Sequence, residues 1–348
     1  MLREEFLKIL QAGEEGGALP EQDLFFLLSC REEGESEALY KAANRVRQRH
    51  VGDEVHLRGI IEFSNFCIQN CLYCGLRRDN RAISRYRMNL AEILEAAKKV
   101  RSEGFRTIVL QSGEDPWFTQ ERISFLIQSI KEHTDLTITL SLGERPYADY
   151  LAWRKAGADR YLLKYETSSP LLFRRLRPGT ELPDRLRALS GLRELGYEVG
   201  SGNMVGLPGQ SDEDLVRDIQ VFRQFDFDMI GIGPFIVHPQ TPLGSAANGR
   251  LERTLKVLAI TRIVTRDTNL PATTASGVLD PNGRRQAMLA GANVIMPDIT
   301  PPRYRQHYQI YPGKAVMAVD RQTITEMISS LGRRISQGSG RRIRSRKI

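Results

Sequence analysis

Three of the chain's four cysteines, Cys67, Cys71 and Cys74, fall within eight positions in the stretch FSNFCIQNCLYCGLRRDN. Their spacing is C-x3-C-x2-C. Thiolates are soft ligands suited to zinc or to iron–sulfur clusters. A structural zinc site wants four ligands, usually in two pairs. The fourth cysteine, Cys30, lies in a helical N-terminal stretch and reads as a buried structural thiol. No histidine lies within the loop, and His56 sits at the far end of the preceding strand. A redox disulfide would use only two thiols. A four-iron cluster on three protein sulfurs fits better, and it leaves one iron open to an exogenous ligand.

The elements that must position such a loop can be read from periodicity. Residues 1–50 are helical in pattern, with apolar positions at helical spacing in REEFLKIL, EQDLFFLL and ESEALYKAANRVRQRH. Beyond them, eight short β-rich runs alternate with amphipathic helices: 56–63, 107–112, 136–142, 160–166, 197–204, 228–235, 270–276 and 292–297. Such alternation implies parallel strands with right-handed crossovers, and eight units predict a (β/α)8 TIM-type barrel. The expected organisation is an N-terminal helical extension (1–50), the barrel (51–315), a short C-terminal segment with a helix (316–331) and a disordered basic tail (332–348).

In such a barrel the chemistry gathers at the C-terminal ends of the strands. The cysteine loop follows the first run. The others end in QSGEDP, SLGERP, KYETSSP, GNMVGLPGQ, PFIVHPQTP, TTASG and MPDITPP. Nearly all are polar or rich in Gly and Pro, which a purely structural barrel does not require.

Composition excludes several classes. With 348 residues, 41% hydrophobic and 26% charged, the chain can bury a large core. No apolar run approaches the ~20 residues that cross a bilayer, so no membrane association is expected. The start, MLREEFLKIL, has no signal-peptide core, and the cysteine usage fits a reducing compartment, so the expected location is cytoplasmic. The last 17 residues carry seven Arg or Lys and no acid, so the net charge of +8 falls to 8 − 7 = +1 without them. The body holds no basic stripe interleaved with aromatics, which disfavours nucleic acid as a partner.

C-x3-C-x2-C after the first strand of an eight-fold βα pattern resembles the radical SAM superfamily. Tyr73 just before the last cysteine strengthens the likeness. SGED after the second strand resembles that superfamily's glycine-rich segment, and GLPGQ (206–210) resembles its loop near the adenine. Further stretches narrow the match: RYRM, TIVLQSGEDP, AGADRYLL, MVGLPGQ, LPATTAS, GANVIMP and the YPGK that ends at Lys314. They are similar to the HydE family of [FeFe]-hydrogenase maturases, from about Val51 to Lys314. Biotin synthase and methylornithine synthase share the architecture and the first motif.

The resemblance implies one [4Fe–4S] cluster on Cys67, Cys71 and Cys74. Its open iron would chelate S-adenosyl-L-methionine, and an electron from the cluster would cleave that cofactor to a 5′-deoxyadenosyl radical. It implies cofactor contacts from Tyr73, Ser112, Gly113, Glu114, Glu166, Arg185 and Gly206. It implies a substrate cavity lined by Gln111, Thr139, Lys164, Met229, Thr273 and Thr274. Met296, Tyr304, Tyr308 and Tyr311 would complete that lining. The implied substrate is a small organometallic complex of iron with cysteine, two carbonyls and a cyanide, used in assembling the hydrogenase di-iron centre. Implied partners are HydG, HydF and an electron donor such as ferredoxin or flavodoxin.

Two departures from the family pattern stand out. The C-terminal segment lacks the three cysteines that bind an auxiliary cluster in some members, so a single cluster is expected. Position 164 is Lys where the family often has Arg, which keeps the charge but loses the planar fork. Two other readings remain open from the residues. One is a radical mutase or sulfur-insertion enzyme resembling methylornithine synthase or biotin synthase, although sulfur insertion would call for an auxiliary cluster. The other is a non-enzymatic metal- or RNA-binding protein that uses the basic tail.

Overall fold

The computed structural model of the protein describes residues 2–315 and 320–344. Three helices come first: α1 (Glu4–Glu15), α2 (Glu21–Leu28) and α3 (Glu33–Val51). Strands β1 (Glu54–Ser64), β2 (Thr107–Ser112), β3 (Thr137–Ser141), β4 (Arg160–Leu162), β5 (Glu198–Val205), β6 (Met229–Pro234) and β7 (Val294–Ile295) follow, all paired in parallel in the sheet order β6-β5-β4-β3-β2-β1-β7. The connecting helices are α4 (Leu90–Ser102), α5 (Gln120–His133), α6 (Tyr147–Ala156), α7 (Pro170–Leu176), α8 (Leu182–Glu194), α9 (Asp212–Phe225) and α10 (Leu251–Thr265). Short helices α11 (Thr274–Leu279), α12 (Gly283–Leu289) and α13 (Pro302–Arg305) follow, then α14 (Arg321–Ser330) and a last strand β8 (Arg334–Ile335).

The seventh expected run, 270–276, is not a regular strand. Pro271 removes an N–H from the ladder, and Thr273 caps α11 so that residues from Thr274 onward are helical. Isolated parallel bridges, Met229 to Asn269 and Pro271 to Val294, carry the ring from β6 to β7. The architecture is a curled parallel sheet with helices outside, of the TIM-barrel type.

The helices are placed by local chemistry. Asn89 and Glu92 form a capping box at the start of α4, and Ser211 and Asp214 form another at α9. Each satisfies two backbone N–H groups that the helix leaves without partners. The apolar faces of α4 and α5 (Ile93, Ala97, Val100; Ile123, Leu126, Ile127, Ile130) bury against the sheet, and each large aliphatic side chain so buried contributes about 1.5–3 kcal/mol. The N-terminal helices pack on the barrel's outer wall, α3 on α10 and α2 on α9 and α10.

Residues 332–344, in the basic stretch read as disordered, make defined contacts. β8 pairs with β1, Glu54 opposite Arg334 and Val55 opposite Ile335. The chain then crosses the N-terminal end of the strands. Ser339 O accepts from Thr107 Oγ1 and Arg160 Nη1 at 2.7 and 3.0 Å, and Gly340 O accepts from Arg58 Nη2 at 3.1 Å. Arg342 pairs with Asp267 and Asp226, and Arg344 with Asp226 and Asp228. The basic residues meet carboxylates left at that end of the barrel, which is why a segment that reads as solvated holds one place. Of the expected C-terminal helix (316–331), residues 316–319 lie outside the described residues, as do 345–348 of the tail.

Candidate functional site

β1 carries a register irregularity between Glu62 and Ser64, and the chain then turns into the cysteine loop. A bulge at a strand end redirects the backbone. The loop has no regular structure of its own, so neighbouring elements hold it. Ile68 N–H donates to Glu114 O, Leu72 N–H to Leu176 O and Gly75 N–H to Ile310 O, at 2.9–3.0 Å. Arg85 reaches inside the loop and donates to the carbonyls of Asn65, Leu76, Arg77 and Asn80.

All four cysteines are free thiols, so the loop contains no redox disulfide. Cys71 is buried, and Cys67 and Cys74 are half-buried. Burial pushes the Cys67 thiol up to about 11 and raises that of Cys74 further, with Cys71 and Cys67 adding to the rise at Cys74. Among the described residues, no three His, Cys, Asp or Glu groups gather tightly enough to hold a single metal ion. A cubic cluster takes its thiolates at separate corners, where they stand farther apart than ligands of one ion.

The segment after β2 lies directly against this loop. A Cβ on Gly113 would come within 2.2 Å of Phe66 O and 2.8 Å of Cys67 Cβ, so only glycine fits there. Ser112 Oγ donates to Gly113 O at 2.7 Å, and Glu114 Oε2 accepts from Gln69 Nε2 at 2.6 Å. A Cβ on Gly143 would meet Glu114 Cγ at 1.9 Å, so that glycine makes room for the carboxylate.

Glu166 sits just past β4 with φ of +69°, a left-handed backbone that non-glycine residues rarely adopt. Such strain persists only where the surroundings impose it. Here Glu166 N–H donates to Gly202 O, Met204 N–H donates to Glu166 O, and the buried Asp218 grips Ser168 N–H and Asn203 Nδ2 at 2.6 and 2.7 Å. Burial pushes Asp218 up to about 7. Glu166 Oε2 has no hydrogen-bond partner, although Lys164 Nζ stands 3.3 Å away. Arg185 is buried, pairs with Glu144 and donates Nη1 to Lys164 O at 2.5 Å, while its Nη2 has no partner.

A cavity of about 280 Å³ opens beneath the cysteine loop. Tyr73, Cys74, Lys164 and Glu166 lie on its wall, with Gln111, Met229, Thr273, Thr274, Met296 and Tyr311. Ile60, Leu162, Met204, Phe235, Ile236 and Ile310 supply apolar lining. The wall also carries an ionic group that sequence reasoning missed. Lys314 Nζ lies 2.6 Å from Glu62 Oε2 and 3.0 Å from Asp298 Oδ2, and Gln111 Nε2 donates to Glu62 Oε1 at 3.2 Å. Burial and the nearby Asp298 push Glu62 up to about 8, against the pull of Lys314. The two carboxylates raise Lys314 above its ordinary value despite burial. A charge on strand one and a lysine in YPGK were the available signals, but only folding brings them together.

Several expected contacts are placed elsewhere. Thr139 lines a small space lower in the barrel with Arg58, Arg160 and Glu198. Tyr304 turns outward, donating its hydroxyl to Glu92 Oε1 at 2.7 Å and stacking on Tyr86. Tyr308 is buried behind the wall, its ring 5.4 Å from Lys314 Nζ. Gly206 N–H donates to Gln210 Oε1, and Gly249 Cα occupies the space a side chain would need, so this glycine serves the turn. The Thr273 hydroxyl caps α11 and Thr274 Oγ1 accepts from Arg284, so neither is idle.

A four-iron cluster with S-adenosylmethionine needs three sulfurs on one loop, a closely approaching backbone and polar groups with bonding capacity to spare. The described residues fit: three free thiols, the cradle at Gly113, and the unpartnered atoms of Glu166 and Arg185.

Comparison with known proteins agrees. The Radical SAM superfamily pattern matches residues 61–222. The [FeFe] hydrogenase maturase subunit HydE of Thermotoga maritima is 52% identical over 322 residues, covering 91% of this chain and 92% of that protein. A 3-methylornithine synthase of Methanosarcina acetivorans is 32% identical, covering 81% of this chain and 80% of that one. The crystal structure of methylornithine synthase (PylB) superposes with a TM-score of 0.85 at 28% identity, covering 94% of this chain and 97% of the other.

Proposed function

The chain belongs to the radical SAM superfamily and, within it, to the HydE family of [FeFe]-hydrogenase maturases, and from that premise we propose how its residues divide the work. It is a radical SAM enzyme that uses a [4Fe–4S] cluster and S-adenosylmethionine. Cys67, Cys71 and Cys74 hold the cluster, and Gly113 lets the backbone approach the amino acid end of the cofactor. Glu166 Oε2, ion-paired with Lys164 but without a hydrogen bond, and Arg185 Nη2, without a partner, take up the remainder of the cofactor. When bound, the pair supplies a 5′-deoxyadenosyl radical.

The chain's own task is to confine and orient. The apolar lining excludes water, which matters because a primary carbon radical takes hydrogen from most groups it meets. Lys164 offers positive charge to an anionic metal complex, as a point charge without the bidentate geometry an arginine would give, while Lys314 is held between Glu62 and Asp298 in the cavity wall. Positioning then carries more of the rate than acid–base chemistry does. The substrate is a small iron complex bearing cysteine, carbonyl and cyanide ligands, received from HydG and passed towards HydF. A low-potential carrier such as ferredoxin or flavodoxin supplies the electron.

The observation that carries this reading is the single cavity that joins Cys74 and Tyr73 to Lys164, Glu62 and Lys314, in a chain 52% identical to a HydE. An in vitro maturation mixture lacking only its HydE tests it. Added anaerobically, the protein should restore hydrogenase activity and release 5′-deoxyadenosine in step. Release of 3-methylornithine from an amino acid precursor, without maturation, would move the chain to the mutase branch.

A further inference from the structure

We infer that Arg177 is a positioning residue for the iron–sulfur centre: its guanidinium holds the Cys71 sulfur and favours the reduced state of the cluster. The inference rests on the cluster assignment above, and its test reads a different quantity. Arg177 follows α7, where no motif points to it. It is buried at 7% exposure. Nη1 donates to Cys71 Sγ at 3.3 Å and to Tyr73 Oη at 3.1 Å. The adjoining Leu176 carbonyl accepts from Leu72 N–H at 2.9 Å, so side chain and backbone grip the cysteine loop at two points.

The guanidinium is not used up by these contacts. Nε and Nη2 have no hydrogen-bond partner, and Glu114 Oε1 lies 3.7 Å from Nη2. An arginine remains protonated even when buried. The protein thus places a permanent charge with open donors beside one of its three cluster thiols. A charge-assisted hydrogen bond to sulfur stabilises negative charge on the sulfur. Hydrogen bonds to the sulfurs and net charge are among the features that set a cluster's potential. The step concerned is the gain of one electron from a low-potential carrier, with no bond made or broken. Positive charge at Arg177 makes that gain easier.

The test compares the full chain with Arg177→Met, Arg177→Gln and Arg177→Lys, each reconstituted anaerobically with iron and sulfide. Iron content, thermal melting of the apo form and midpoint potential by EPR-monitored redox titration are measured. We expect Arg177→Met and Arg177→Gln to hold less reduced cluster at a given potential, by about tenfold, which is ~59 mV for one electron. Arg177→Lys, which keeps the charge but loses the fork, should fall between these variants and the parent. Loss of the cluster from Met and Gln variants whose apo forms melt like the parent would support the same holding role. A full cluster at the parental potential in Arg177→Met overturns the inference. So does failure of all three variants to fold, which would assign Arg177 to the fold alone.

Discussion

At the N-terminal end of the barrel strands, Arg58 and Arg160 are buried beneath the carbonyls of Ser339 and Gly340; at the C-terminal end, Arg177 and Arg185 are buried as deeply around the cysteine loop and Glu166. The lower pair is closed by the chain itself. Arg160 also pairs with Glu198, Arg58 Nη1 also meets Met229 Sδ, and Arg58 Nε is buried without a partner. The upper pair keeps three donors open, and Glu166 keeps an oxygen open beside them. A buried polar group left unpaired costs about 1–3 kcal/mol. His56 Nδ1 and Thr139 Oγ1 are also without partners at the lower end, so what sets the upper end apart is that its open atoms gather around the cysteine loop and Glu166.

The contrast can be broken from either end. The largest effect belongs to the upper end. Cys71→Ala should abolish 5′-deoxyadenosine formation and cluster retention, while the apo protein melts within a few degrees of the parent. Unfolding of the apo variant would show that the loop serves the fold. Second is removal of residues 332–348. It withdraws the carbonyls over Arg58 and Arg160 and the Arg342 guanidinium from Asp267, so urea unfolding should show a loss on the order of 3–5 kcal/mol. An RNA- or partner-binding tail would leave stability unchanged.

Third, Lys314→Met leaves Glu62 and Asp298 facing each other in the cavity wall without their shared cation. The expected loss is about 3 kcal/mol, read by the same denaturation. The smallest effect is a pH dependence. Glu62 holds its proton more tightly folded than unfolded, its value raised to about 8. That stabilisation is complete below the ordinary carboxyl range and is lost as pH rises through about 8. Glu62→Gln keeps the neutral form at every pH, so its melting temperature should gain on the parent's between pH 5 and pH 9. A constant difference would mean that Glu62 is already ionised at pH 5 and paired with Lys314.

Much of the upper end was legible from spacing. Cys67, Cys71 and Cys74 stand out as candidate ligands by their spacing in one loop, whereas Gly113 entered through the likeness of SGED to the family's glycine-rich segment. Glu166 was legible as a strand-end carboxylate, but its left-handed backbone was not, since that comes from Asp218 and β5 acting across the fold. Arg177, Glu62 and Lys314 were not picked out because each is ordinary in its local sequence and acquires meaning only from partners distant along the chain. The lower end follows the same rule. A Gly- and Ser-spaced basic tail looks solvated until Asp226, Asp228 and Asp267 are seen to converge where it passes. The seventh run failed through competition, with Pro271 and the Thr273 cap overriding a β-favouring stretch.

Low-temperature EPR of the anaerobically reconstituted, dithionite-reduced protein, recorded with and without S-adenosylmethionine, bears most directly on the idea that the upper end is held open for a cofactor. A single reduced [4Fe–4S] signal should appear and change its g-values when the cofactor is added. A signal indifferent to the cofactor, or a protein that carries zinc in that loop and no cluster, would contradict it.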